Sequence, residues 1–347
     1  MRWRAGRQYS CAVPRPVCLL VNPAAGGGRA GRLAPRTQAR LRELGLAVDR
    51  RDTRDLDHAR QLAREAATAG QTVAVLSGDG MIGAVADVLR ELPDSVLAVL
   101  PGGRGNDLAR VLGIPLDPVQ ACATVAGGLP RKMDLGEVLG AGPGDRATAF
   151  VGIASAGFDS DANRIANEAP SRLGNLVYAY GALRALLRWR PATFTLELDP
   201  PGERQTFSGY TFGAANSQSY GGGMRAAPGA LLDDGLLEVI VLERIGKLRF
   251  LTQLLPKVFS GRHVDEPGVK VMRAREIVAE ADRPFTMYAD GDPIGKLPVR
   301  VRALAGAITV LVPEHGERSS AFGTEPSSAA LSPQAPATTL DRRTDRR

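Results

Sequence analysis

The sequence predicts a two-part α/β protein: an N-terminal doubly wound parallel-sheet domain, a C-terminal antiparallel β-sandwich domain, and a cleft between them. Three observations carry this. Up to about Asp134, short continuous apolar runs alternate with helical patterns, as in a parallel sheet covered on both faces. Beyond it, the runs turn to alternating apolar and polar residues, the period of antiparallel strands. Finally, glycine-rich turns follow three of the early strands, and open α/β sheets bind ligands beyond the carboxyl ends of their strands.

The elements follow in order. VCLLVNP (17–23) is a buried strand, and AGRLAPRTQARLREL (30–44) is a helix that tolerates Pro35 in its first turn. GLAVDRRDT is the second strand, and DLDHARQLAREAATAG is a helix opened by an Asp cap. TVAVLSGDG, MIGAVADVLREL, VLAVLPGG and GNDLARVLGI continue as strand, helix, strand and short helix, with Pro115 ending the last. The later strands are RATAFVGIASAG, ATFTLELD, RQTFSGYTFGAAN, GLLEVIVLER, GVKVMRAREIVAEA, FTMYADGD and LPVRVRAL with AITVLVP. Two helices interrupt them, SRLGNLVYAYGALRALLRW and KLRFLTQLLPKVFSG. We divide the chain into a flexible basic flank (1–15), the parallel-sheet domain (16–134), the β-rich domain (135–315) and a disordered Ser/Ala/Pro-rich tail (316–347).

Composition narrows the function classes. The chain has 347 residues, 44% of them hydrophobic and only 5% aromatic, so its cores are built from Ala, Val and Leu. No apolar stretch of about 18 residues is present to span a bilayer. Pro14, Arg15 and Pro16 interrupt the apolar run that a signal peptide needs. Three scattered cysteines, Cys11, Cys18 and Cys122, form neither a disulfide framework nor a metal spacing. Of the net charge of +7, Arg2, Arg4, Arg7 and Arg15 supply four, so no broad basic face for nucleic acid is expected. A cytoplasmic protein with peripheral contact at an anionic inner membrane surface fits this better.

The first glycine loop, LLVNPAAGGGRAGRL, admits three readings. Gly26, Gly28 and Gly31 satisfy G-x-G-x-x-G, with Asp49 downstream for a ribose. Gly26, Gly31 and Arg32 mimic a P-loop, but Arg32 replaces its Lys and Leu33 its hydroxyl residue. A plain flexible turn is the third. The loop has company: Gly78-Asp79-Gly80 and Gly102-Gly103-Arg104-Gly105-Asn106-Asp107 end the next two parallel strands of this pattern. Backbone N–H groups of such loops bind phosphate. A carboxylate among them repels a bare phosphate, so Asp79 points to a Mg2+-nucleotide, with a helix N-cap as its structural alternative.

Taken together, VNPAAGGGRA, SGDG, PGGRGNDLARVLGIP, NSQSYGGGM, APGALLDDGLLEVIVL and ADGDPIG resemble the diacylglycerol kinase catalytic family, which includes sphingosine kinases and bacterial lipid kinases. The resemblance spans about residues 17–313. It implies ATP and Mg2+, with a lipid substrate at a membrane surface. Residue by residue, it implies a nucleotide loop at Asn22, Pro23, Ala24, Ala25 and Gly26, and a nucleotide-contacting Thr53. It makes Gly78, Asp79 and Gly80 the signature loop organising Mg2+ and phosphates, and Asn106 and Asp107 the N-D pair of the third loop. Asp292 becomes the base for the lipid hydroxyl, oriented by Asp290. Asp234, with the carbonyls of Leu231 and Leu236, becomes a structural Mg2+ site, a hairpin turn being the alternative. The departures are Met81 for Thr, Ala84 for Glu, Arg104 for Thr and Asp292 for Glu. Arg104 is expected to take over phosphate binding.

Three functions remain open: an ATP- and Mg2+-dependent lipid kinase, with diacylglycerol as acceptor and phosphatidic acid as product; a NAD kinase-like enzyme on a soluble substrate; and a degenerate binding module. His58, His263 and His315 are read as surface residues. The two helices carry apolar stripes (Leu173, Leu176, Val177, Tyr180, Leu183 and Leu187; Phe250, Leu251, Leu254, Leu255, Val258 and Phe259) beside basic residues. Such stripes suit a membrane interface or simply pack on a sheet. A homodimer is compatible with the sequence.

Overall fold

The computed structural model describes residues 15–140, 146–168, 176–314 and 321–323. The predicted flank up to residue 14, and the predicted tail apart from 321–323, lie outside them, as does the start of the first stripe helix, with Leu173. Five strands need naming first: β1 (Val17–Val21), β2 (Val48–Asp52), β3 (Thr72–Ser77), β4 (Val96–Pro101) and β5 (Leu129–Gly140). The first four form a parallel sheet in the order β4-β3-β1-β2. Between them run helices α1 (Ala25–Glu43), α2 (Leu56–Thr68) and α3 (Asp79–Leu89), followed by α4 (Asp107–Val111) and α5 (Pro118–Gly127). Every residue of β1 and β3 is buried, which is why these strands read as unbroken apolar runs.

Two helices differ from the sequence expectation. Formally α1 starts at Ala25, but Gly26, Gly27 and Gly28 stand at φ of 61°, 67° and 83°. They make a left-handed turn that only glycine adopts cheaply, and the regular helix begins after them. Helix α5 was not expected at all; Asp117 caps it by accepting the Val119 N–H at 3.0 Å, with Pro118 in its first turn.

The second half is antiparallel apart from one contact. It comprises β6 (Thr148–Phe150), β7 (Ile153–Gly157), β8 (Ala192–Leu198), β9 (Arg204–Ala215), β10 (Leu237–Glu243), β11 (Val269–Ala274), β12 (Glu276–Ala281), β13 (Thr286–Ala289), β14 (Asp292–Lys296) and β15 (Val299–Val312). The order runs β14-β13-β7-β9-β8-β12-β15. Strand β15 joins the halves: it pairs antiparallel to β5 and β12, then parallel to β4 through Thr309 and Val310.

Helix α6 (Phe158–Glu168), not expected, packs on β7, β9 and β13, and α7 (Leu176–Arg188) packs against α6. Phe158, Trp189, Tyr210 and Phe250 form a ring cluster beneath them, at centroid distances of 5.1 to 6.1 Å. The second expected stripe helix is broken: Lys247–Arg249 leads into a π-helical turn, Phe250–Leu254, before Leu255–Val258, which contains Pro256. The stripes divide between core and solvent. Of the stripe residues, Phe250 and Leu254 are buried, whereas Leu183, Leu187 and Phe259 are 50%, 71% and 58% exposed; outside the stripes, Ala185, Leu186 and Trp189 are buried and Leu248 is 76% exposed.

A charged network ties α3 to the second half. Arg90 bridges Asp87 at 2.9 Å and Glu137 at 2.6 Å, Arg302 meets Glu137 at 2.5 Å, and Asp87 also accepts the Ala149 N–H at 2.9 Å. Both carboxylates are almost fully shielded from water. Removing one cation from a buried cluster strands the carboxylates it served. Arg90→Leu is therefore expected to destabilise by about 3–5 kcal/mol in urea unfolding; a loss below about 1 kcal/mol, the level of an exposed pair, contradicts a buried network.

Candidate active site

All three glycine loops lie at the carboxyl ends of the parallel strands and touch one another. Asn22 builds the first: its side-chain oxygen accepts the Ala24 N–H at 3.1 Å and its carbonyl the Ala25 N–H at 3.1 Å. A Cβ on Gly26 would stand 2.5 Å from the Gly102 carbonyl oxygen, so the first and third loops meet only because residue 26 has no side chain. Pro23 packs under the same turn, its carbonyl oxygen 2.9 Å from where a Gly31 Cβ would be. In the third loop, Asn106 holds a left-handed conformation, accepts the Gly103 N–H at 2.8 Å and returns a bond to the Gly103 carbonyl at 3.1 Å.

Four carboxylates converge beside these loops. Cβ atoms placed on three glycines locate them: on Gly105, 3.1 Å from Asp107 Oδ2 and 3.3 Å from Asp79 Oδ2; on Gly80, 3.0 Å from Asp292 Oδ2; on Gly83, 3.0 Å from Asp290 Oδ2. Any larger residue at these positions would press on an acid. Asp79 does not cap its own helix; instead its Oδ1 accepts the Leu108 N–H at 3.1 Å, which ties the second loop to the start of α4. The Asp107 carboxylate accepts the N–H groups of Gly222 and Gly223 at 2.8 and 2.7 Å, reaching the β half.

Asp290 is the most perturbed of the four. Its residue is only half-buried, but its carboxyl turns inward to the N–H groups of Val151 and Gly152 at 2.8 and 2.9 Å. Desolvation there pushes its pKa up to about 7; the fields of Asp79 and Asp292 add to the rise, and the two N–H groups oppose it. Asp292, more open to solvent, is also raised by desolvation, against the field of Arg60. Asp107 is raised, first by desolvation and then by Asp79.

The other expected site residues differ in their surroundings. Thr53 is buried, its hydroxyl 3.2 Å from the Val21 carbonyl and 3.8 Å from the Met81 sulfur, so the thioether at 81 occupies the hydroxyl's neighbourhood. Arg104 is exposed, without a hydrogen bond or ion pair among the described residues. In the 231–236 segment, Asp234 accepts the Leu236 N–H at 3.0 Å and pairs with Arg273 at 3.3 Å, the arrangement of a capped turn, while Leu231 lies in the same bend. The neighbouring Leu232 N–H donates to the Ala321 carbonyl at 2.7 Å, so residues 321–323, within the expected tail, pack on this turn. His58 accepts the Arg54 N–H. His263, expected at the surface, is instead buried against the Ala226 carbonyl, and its pKa is lowered by desolvation; His315 lies outside the described residues.

The sequence reading passed over two contributors, Arg60 and the Gly222–Gly223 N–H pair. GGG is visible in the sequence, but its partner lies more than a hundred residues away. A larger cavity, about 590 Å3, opens near the starts of the strands beside Val17, Thr72 and Val96, and holds none of the expected site residues.

The charge coupling is measurable. In metal- and nucleotide-free protein, Asp290 binds a proton in the folded state between about pH 4 and 7 that the unfolded chain has released. Its contribution to stability therefore falls as pH rises through that window. Asp79→Asn removes one of the charges that raise it, so carbon-detected NMR of the carboxyl is expected to show Asp290 titrating lower in that variant; an unmoved midpoint means the two acids do not share a site.

Comparisons with known proteins identify the family. Residues 16–138 match the diacylglycerol kinase catalytic domain, and residues 152–312 match the YegS C-terminal NAD kinase beta sandwich-like domain. A diacylglycerol kinase of Mycobacterium tuberculosis is 34% identical over 86% of this chain and 96% of its own. A protein named a probable YegS-like lipid kinase in Chromohalobacter salexigens is 29% identical over 79% and 87%. The crystal structure of a diacylglycerol kinase from Bacillus anthracis str. Sterne covers 86% of this chain and 97% of its own with a TM-score of 0.66 at 20% identity, a likeness of fold. The chain belongs to the diacylglycerol kinase and YegS-like lipid kinase family of phosphotransferases.

Proposed function

We propose that this lipid kinase transfers the γ-phosphate of ATP, with Mg2+, to the primary hydroxyl of diacylglycerol, giving phosphatidic acid. The observation that carries the reading is the convergence of Asp79 and Asp107 from one half with Asp290 and Asp292 from the other. Phosphoryl transfer needs positioning and charge neutralisation rather than covalent help. The loops at Asn22–Gly26, Gly78–Gly80 and Gly103–Asp107 sit where a triphosphate would meet backbone N–H groups and helix starts.

No three Asp, Glu, His or Cys side chains form a metal cage among the described residues. Mg2+ in nucleotide sites takes one or two carboxylates and completes its shell with phosphates and water, so the donor set fits: Asp79 would hold the ion. The bound ion would supply neutralisation of the phosphate charge. Asp292, with Oδ2 against Gly80 and a solvent-open side, would accept the hydroxyl proton. Asp290, held by two N–H groups, would orient the turn that carries Asp292. Arg104, exposed and unengaged among the described residues, is free to close on phosphate. Asp234 already has protein partners on both oxygens, which favours a structural turn over a second ion there.

No helix among the described residues is long and apolar enough to cross a membrane. Leu183, Leu187 and Leu248, exposed beside Arg188 and Lys247, support peripheral contact at the inner membrane surface of the cytoplasm.

The test is phosphate transfer from labelled ATP to diacylglycerol in mixed micelles. We expect transfer by the wild type, loss on chelation of Mg2+, and a drop of roughly 10²–10⁴-fold in both Asp79→Asn and Asp292→Asn. Transfer to NAD alone, or ATP binding without transfer to any lipid, overturns the reading.

A further inference from the structure

One polar group beside the site is unexplained by the catalytic assignment. Arg60, in the second turn of α2, pairs through one terminal nitrogen with Asp57 at 2.8 Å. Its Nε is shut off from water and has no acceptor among the described residues. The other terminal nitrogen likewise has no acceptor among the described residues but, unlike Nε, is not shut off from water, so it can meet an oxygen supplied by a ligand.

Arg60 lines a cavity of about 280 Å3, roughly the volume of nine water molecules. One wall holds Asp290 and Asp292; another is the face of α3 at Gly80, Gly83 and Ala84, where small residues leave the space open; apolar residues, Ile294 among them, complete it. The field of Arg60 reaches the Asp292 carboxyl, yet Arg60 is ion-paired only to Asp57 among the described residues. The cavity therefore combines the proposed base, apolar walls and one cation, in a space suited to a glyceryl head rather than to whole acyl chains.

We propose that Arg60 is a specificity-determining residue of the acceptor site, donating an N–H of the terminal nitrogen not engaged by Asp57 to the ester carbonyl oxygen beside the hydroxyl that is phosphorylated. This rests on the lipid-kinase reading above. In a diacylglycerol that carbonyl is the strong oxygen acceptor nearest the free hydroxyl, beyond the weakly accepting bridging ester oxygen, and a dialkyl ether analogue lacks it.

The experiment compares diacylglycerol with its dialkyl ether analogue as acceptors for full-length wild type, Arg60→Met and Arg60→Lys, with thermal unfolding of each variant. Wild type is expected to favour the diester in kcat/KM by about tenfold or more, the loss expected when a charged donor forfeits its hydrogen bond. In Arg60→Met the preference collapses to about twofold or less through the KM for the diester, with the ether acceptor little changed. Arg60→Lys keeps the charge without the fork and stays near Arg60→Met. An unchanged diester preference in Arg60→Met overturns the assignment. So does an equal loss on both acceptors, which marks a structural role, or a raised KM for ATP in its place, which marks a nucleotide role. Wild type that phosphorylates neither lipid overturns the acceptor reading itself, a failure distinct from a preference that survives the variant.

Discussion

Four acids crowded into one cleft repel each other, and this repulsion organises the site. Asp79, Asp107, Asp290 and Asp292 are brought together by glycines at 80, 83 and 105 that leave no Cβ in the way. Arg60 sets its field against the charge repulsion at Asp292, and Arg110 at Asp107. Backbone N–H groups carry much of the remainder: two for Asp290, two for Asp107, one for Asp79. Asp290 still sits near a pKa of 7. Such a cluster holds unfavourable charge that a bound cation would relieve.

The same contacts hold the halves in register. Asp107 reaches from the start of α4 to Gly222 and Gly223, and Asp290 reaches back from the turn after β13 to the N–H groups ahead of β7. Strand β15 adds a backbone seam by pairing with β5, β12 and β4, and the buried Asp87–Arg90–Glu137–Arg302 cluster braces α3 against β5 and β15. The cleft is thus fixed from three directions, as a reaction governed by positioning requires.

Much of this was legible in the sequence. The alternation of buried strands and helices indicated a parallel sheet, because strands covered on both faces, such as β1 and β3, are apolar throughout. The glycine loops were visible as strand ends, and the resemblance pointed to Asp79, Asp107, Asp290 and Asp292 individually. What stayed hidden depends on distance along the chain or on side-chain direction. No local pattern shows that Asp107 bonds to Gly222, or that β15 returns to β4. Thr53 turns its hydroxyl to Val21 and Met81, and Arg104 points outward, because neighbours rather than residue type set their directions. On α7 the expected stripe residues Leu183 and Leu187 face solvent, while Leu186, and Trp189 just past the helix, pack inward. Arg60 looked like one more charge on an amphipathic helix, and only the cavity beside it distinguishes it.

The central claim is that acids from both halves serve one metal-nucleotide at the carboxyl ends of the parallel strands. A crystal structure with a non-hydrolysable ATP analogue and Mn2+, located by its anomalous signal, tests it most directly. The account predicts an ion roughly 2.1–2.2 Å from an Asp79 oxygen, the phosphate chain along the three glycine loops and its terminal phosphate facing Asp292. A nucleotide bound in the cavity at the opposite ends of the strands, or an ion with no contact to Asp79, would contradict it.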